Sequence, residues 1–231
     1  MLRLIVFFVV AAVLAAVLGH LPLIGPLFAH SGLIGILISA ALLSAVVSRF
    51  GERMLSSRKL RGELRALGAV GNAHTHGKMG ALYLARGRPR AALEHLEDAA
   101  QGEPQVAEWQ YRLGLARLGV RQLEPALAAF ERCVALEEEH AYGAAQMRRA
   151  ECLQRLGRQE EALDALRAHE ANHGPSPEGA FRRGRALRAL GRKREARAAF
   201  AEVAELARRA ARYQRRSAGL WALRAGLARF V

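Results

Sequence analysis

His169-Glu170-Ala171-Asn172-His173 spells the pattern H-E-x-x-H. On a helix, two histidines four residues apart share a face and can hold Zn²⁺, with the intervening glutamate as general base. A membrane zinc metalloprotease using His169, Glu170 and His173 is therefore the enzyme reading this chain offers. Two features weigh against it. Gly174-Pro175-Ser176-Pro177 follows at once, which leaves the pair on the last turn of its helix. Catalytic zinc also needs a third protein ligand, and Glu195, 22 residues on, falls at the start of another helical stretch. His74-Thr75-His76 adds two imidazoles, too few for a site, and reads as a loop before the first helical unit. Cys133 and Cys152 cannot build a disulfide framework and read as small buried thiols. No glycine-rich phosphate loop, nucleophile elbow or paired-carboxylate site stands out, so neither catalysis nor a cofactor is expected.

The elements that carry these residues follow a repeat. A small residue stands at Gly80, Gly114, Ala150 and Gly184. Twelve positions after each comes Ala92, Ala126, Ala162 or Ala196, and four later Leu96, Phe130, Leu166 or Phe200. The offsets between copies are 34, 36 and 34 residues, a period that marks stacked helical hairpins, none able to bury its apolar face alone. Polar breaks divide each unit in two: Arg86-Gly87-Arg88-Pro89, Gly119-Val120-Arg121-Gln122, Gly157-Arg158-Gln159 and Gly191-Arg192-Lys193. Gln101-Gly102-Glu103-Pro104 and Gly174-Pro175-Ser176-Pro177 separate units. Glycine in the first helix lowers helix propensity by about 1 kcal/mol against alanine, which makes sense where two helices must approach closely. Phe130 and Phe200 are expected to fill the space between hairpins.

This pattern resembles the tetratricopeptide repeat, a 34-residue helix–turn–helix unit, over residues 73–209 in four tandem copies. Three departures are visible, the first being that the family's closing proline, present at Pro104, is absent from units two and four. Trp109 lies one position early for the family's helix-start tryptophan, and the turn glycine of the second unit is shifted to Gly119. The resemblance implies an all-α solenoid whose first helices line a concave groove for a partner protein. Carried over by position, that groove holds His74, Tyr111, Leu115, Met147 and Glu151, followed by Arg155, Phe181, Arg185 and Arg188. The aromatic and aliphatic members offer apolar contacts, and the arginines favour an acidic peptide. The lysine/asparagine carboxylate clamp of some family members is not matched: its positions read Ala81, Leu115, Glu151 and Arg185.

The flanks differ in kind. No residue from Leu4 to Ser48 is formally charged, and Gly19, Pro22, Gly25, Pro26 and Gly32 interrupt that run. Two transmembrane helices near 2–20 and 32–49 are expected, forming an anchor over residues 1–50. A cleaved signal peptide is the alternative for the first apolar segment. Arg3 precedes the anchor; Arg49, Arg53, Arg58, Lys59, Arg61 and Arg65 follow it in a basic linker, 51–72. Positive flanks place both ends, and the repeats, on the cytoplasmic side of a bacterial inner membrane. Abundant alanine, glycine and leucine, with arginine far above lysine, suit a GC-rich bacterial genome.

Residues 178–231 carry fifteen basic and four acidic side chains. Leu220, Leu223 and Leu227 fall at helical spacing beside Trp221, after Arg208, Arg209, Arg212, Arg215 and Arg216. A basic amphipathic helix over 210–231 is expected to cap the array, leucines inward, with Trp221 and the arginines at a lipid surface. The whole reads as a non-catalytic, membrane-anchored scaffold or assembly factor. Its partners would be proteins: an acidic peptide, or another integral membrane subunit meeting Gly32, Gly35 and Ser39. An adaptor that binds nucleic acid through the arginine-rich C-terminus is a further alternative.

Overall fold

A computed structural model describes residues 59–228, together with the isolated positions 9, 13, 45, 46 and 49. The chain divides into two compact units, Met1–Ala66 and Leu67–Val231. Of the first, residues 59–66 are helical.

The second unit is all-α. Its helices are α1 (Ala73–Ala85), α2 (Pro89–Gly102), α3 (Ala107–Gly119), α4 (Leu123–Leu136), α5 (Ala144–Arg155), α6 (Gln159–His173), α7 (Pro177–Ala189), α8 (Lys193–Arg209) and α9 (Arg215–Ala228). Each packs on the next in chain order, so α1–α2, α3–α4, α5–α6 and α7–α8 are the four hairpins. First helices also touch across units, at α1–α3, α5–α7 and α7–α9. They therefore line one face of the array.

The chain enters this array through a capping box. The Asn72 side chain accepts from the Thr75 amide at 2.8 Å, and the Thr75 hydroxyl accepts from the Asn72 amide at 3.0 Å. His74 and His76 thus sit in the first turn of α1 and not in a loop, a difference that the short polar run before Met79 conceals. Gln101 and Gly102 likewise extend α2, and the turn begins at Glu103.

The crossings follow the repeated skeleton. A Cβ on Gly114 would stand 2.6 Å from the Phe130 ring, and one on Gly184 would stand 2.6 Å from the Phe200 ring. The small residue of each first helix thus receives the bulky residue of its own hairpin mate. Phe130 also packs with Met147, Ala150 and Leu153 of the next unit, so it fills space within and between hairpins. Phe130 and Phe200 are almost wholly buried, as are Leu96 and Leu153. Burial pushes the thiols of Cys133 and Cys152 up to about 11 and about 12, so both stay protonated at neutral pH.

Glycine matters for backbone reasons at the hairpin turns. Gly87, Gly157 and Gly191 have φ of +66°, +82° and +77°. The corresponding residue of the second hairpin is Arg121, at φ +66°. The left-handed conformation is thus required at 121, where it is strained, while the nearby glycine sits at 119. Arg121→Gly is expected to stabilise the fold by about 1 kcal/mol, the cost of a side chain in that region. A urea midpoint that fell, or did not move, would refute this.

The two transmembrane helices expected at 2–20 and 32–49 lie outside the described residues, apart from those isolated positions. Among the described residues no helix is long and apolar enough to cross a membrane. The two-pass inner-membrane localisation with cytoplasmic repeats is corrected accordingly. The physical reason is visible in α8, the longest of these helices: its 17 residues include eight charged ones, and only one face is buried.

Candidate partner-binding groove

The face lined by α3, α5 and α7 is built around an ionic cluster. Glu151 on α5 is buried and accepts hydrogen bonds from Arg148 at 2.5 Å, Arg155 at 2.6 Å and Arg182 at 2.8 Å. Arg182, on α7, is 6 % exposed and also donates to Glu178 at 2.7 Å. Arg148 approaches the same Glu178 at 3.4 Å. Three guanidinium groups thus share two carboxylates across two adjacent units. Burial alone would raise the Glu151 carboxyl, but Arg182, Arg148 and Arg155 more than offset it and hold it below the usual carboxylate range. In the same way burial disfavours the Arg148 cation, and Glu178 and Glu151 reverse that.

Next to this cluster lies a cleft of about 330 Å³. Met147 and Arg148 of α5, His169 of α6, Glu178 of α7, and Gln214 and Trp221 of the C-terminal segment are among its walls. His169 is held below its ordinary value, first by burial and second by the neighbouring His173, so the imidazole facing the cleft is neutral near pH 7. The two rings lie 4.7 Å apart. Gly143, with φ +72°, leaves room for His173: a Cβ there would collide with its ring.

The H-E-x-x-H residues do not come together as a metal site. Glu170 pairs with Arg183, away from the imidazole pair. Among the described residues no group of three His, Cys, Asp or Glu side chains could hold a metal ion. His74 instead meets Trp109 edge to face at 5.4 Å, and His76 lies 2.8 Å from Asp98. Trp109, one position early in the repeat, is buried and its indole N–H donates to Glu103 at 2.6 Å.

The groove residues named from sequence are distributed as follows. Tyr111 and Leu115 are half-buried on α3, packed against the central core. Met147 is buried and reaches the cleft. Glu151 lies inside the ionic cluster, and Arg155 at its exposed edge. Phe181 is covered by Trp221, their rings 5.3 Å apart. Arg185 is exposed. Arg188 is exposed too, donates to the Ala228 carbonyl at 3.0 Å and lies over the Phe200 ring. Arg182 is not among the residues that helical register places in the groove; its sequence signal is Glu178 one turn before it, a pairing that selects which arginine of α7 turns inward.

The C-terminal helix α9 lies against α7 and α8, where a further first helix would sit. Its orientation differs from the expected one. Ala218 and Ala225 are buried and Trp221 is half-buried, whereas Leu220, Leu223 and Leu227 are 60–65 % exposed. Small alanines let α9 approach closely, and Trp221 supplies the contact volume, so the leucines face out. Trp221 is thus a packing residue, held between Arg182 and Arg224. Arg208, Arg209, Arg212, Arg215 and Arg216 are exposed, as are Lys59 and Arg61; Arg53 and Arg58 lie outside the described residues.

Residues 144–168 and 178–207, the third and fourth hairpins, match the family model of the tetratricopeptide repeat. No curated protein matches the chain. Among solved structures, one titled as the crystal structure of MamA superposes with a TM-score of 0.61 at 23% identity, over 69% of this chain and 95% of that one. A MamA fragment from Desulfovibrio magneticus RS-1 gives 0.54 at 19% identity, over 66% and 92%. YrrB, whose title describes a tetratricopeptide protein with an unusual peptide-binding site, gives 0.57 at 19% identity, over 66% and 80%. At these identities the likeness is one of fold: a tetratricopeptide-type helical array.

Proposed function

We propose that this protein is a non-catalytic scaffold or assembly factor that binds a partner protein through the face lined by α3, α5 and α7, and that the bound segment is acidic. One observation carries the reading. Glu151 and Glu178, the carboxylates of the cluster, are engaged by Arg148 and Arg182, while Arg155, Arg185 and Arg188 extend the positive charge to the exposed surface. Half-buried Tyr111 and Leu115, and the cleft beside Met147, offer apolar contacts next to that charge. A negatively charged extended segment would gain both from steering and from contact.

The test is titration of a fluorescently labelled glutamate-rich peptide, with a lysine-rich peptide as control. Arg155→Glu with Arg185→Glu is expected to weaken glutamate-peptide binding tenfold or more and to flatten its salt dependence. Arg155 also donates to buried Glu151, so the double variant is expected to melt lower, and Arg185→Glu alone, at an exposed side chain outside the cluster, should weaken the same binding at an unchanged melting temperature. Equal affinity of wild type and variant would exclude the groove as the site.

A further inference from the structure

The outward face of α9 is built as a helix-crossing surface, and among the described residues nothing lies on it. Gly219-Leu220 recurs seven residues later as Gly226-Leu227, with Leu223 between. On a helix these five residues share one side, opposite Ala218, Trp221 and Ala225. Elsewhere in the array a glycine on a first helix faces a bulky side chain of its mate, as Gly114 faces Phe130 and Gly184 faces Phe200. Gly219 and Gly226 face open space. The helix α9 occupies a first-helix position, packed on α8 and α7, and among the described residues no second helix follows it. Three exposed leucines in one stripe are far more than scattered surface apolarity.

We infer that this face is a second docking surface, separate from the groove, and that its occupant is an acidic amphipathic helix of a partner protein. The helical form follows from the heptad spacing of the stripe and its two glycines, which accept the ridge of another helix at close range. The charge follows from the borders. Arg215 and Arg224 border the stripe on its two sides, Arg216 continues it at the N-terminal end, and no acidic residue occurs after Glu205. A second copy of α9 would bring the same cations against them; a helix with glutamates beside its apolar stripe would pair with them.

The experiment uses the full chain and a labelled 21-residue synthetic helix with leucine at the first and fourth heptad positions and glutamate at the flanking ones. A version with lysine for glutamate is the control. The glutamate helix is expected to bind and the lysine helix not. Leu220→Ser with Leu227→Ser should weaken binding at least tenfold without changing the melting temperature, because both side chains are already exposed. Arg216→Glu with Arg224→Glu should reverse the preference towards the lysine helix. Arg155→Glu with Arg185→Glu, which tests the groove, should leave this affinity unchanged. Binding that survives the leucine substitutions would reduce the effect to general attraction by arginine and overturn the inference. So would a concentration-dependent dimer, seen by light scattering and abolished by those substitutions, which would make a second copy the occupant. Leucine-dependent binding to phosphatidylglycerol vesicles, with the glutamate helix ignored, would overturn it in favour of a lipid surface.

Discussion

Gly114→Val is expected to destabilise the protein by about 3 kcal/mol, at the upper end of ordinary overpacking costs. Two effects oppose each other at this site. Valine in place of glycine improves the intrinsic helix propensity of α3, by less than the ~1 kcal/mol that separates glycine from alanine. Against that, the new Cβ falls 2.6 Å from a ring that is itself wholly buried, so Phe130 has no free space to retreat into. Overlap wins. Phe130→Ala removes the obstacle but leaves a cavity, at about 3–5 kcal/mol. The informative variant is the double one. If Gly114 is small because Phe130 occupies its face, Gly114→Val should cost far less in the Phe130→Ala background, since the valine then fills part of the vacated volume. Urea denaturation of the four proteins measures this coupling. Strictly additive costs would mean that the glycine serves some purpose other than the crossing.

The same contact explains how much of the fold was legible. The spacing of Gly114, Ala126 and Phe130, and its recurrence through Gly184 and Phe200, encodes which helix pairs with which, because close approach leaves a compositional mark at both partners. Features without such a mark were not legible. The sequence points to Gly119 for the strained turn that Arg121 makes, because a backbone conformation is inferred from the residue type that usually adopts it, and here another residue adopts it. The stripe of Leu220, Leu223 and Leu227 established that α9 is amphipathic but not which face turns inward. Alanines and a tryptophan won the contact with α7 by fitting it, and leucine hydrophobicity alone does not decide that competition. In the candidate groove, Tyr111, Met147 and Arg185 were placed by helical register. Arg182 is one arginine among many, and Glu178 one turn before it supplies only half of the signal; its burial is set by carboxylates on two different helices. The H-E-x-x-H pattern shows the converse, a strong local motif whose glutamate is taken by Arg183 from the next hairpin.

Glu151 is the residue on which the ionic cluster depends, and Glu151→Gln is expected to cost about 3 kcal/mol, the low end for breaking a buried pair. The shape of the side chain is kept, so the loss is electrostatic. Arg182, with its side chain 8 % exposed, would retain Glu178 alone and face Arg148 across the same carboxylate. Replacing both partners, as in Glu151→Leu with Arg182→Met, should cost less than the single change, because no uncompensated charge is left at the α5–α7 crossing. The pH dependence separates this account from a merely steric one. Once burial is outweighed by Arg182, Arg148 and Arg155, the Glu151 carboxyl titrates below its unfolded value, which is about 4.3. Its stabilising contribution is therefore fully present above that value and is lost as pH falls through the lower, folded one. Wild type should lose stability steeply on acidification in that window, whereas Glu151→Gln, with no proton to bind there, should show a shallower slope. Parallel slopes for the two proteins would place the acid sensitivity on other carboxylates and remove Glu151 from the centre of the cluster.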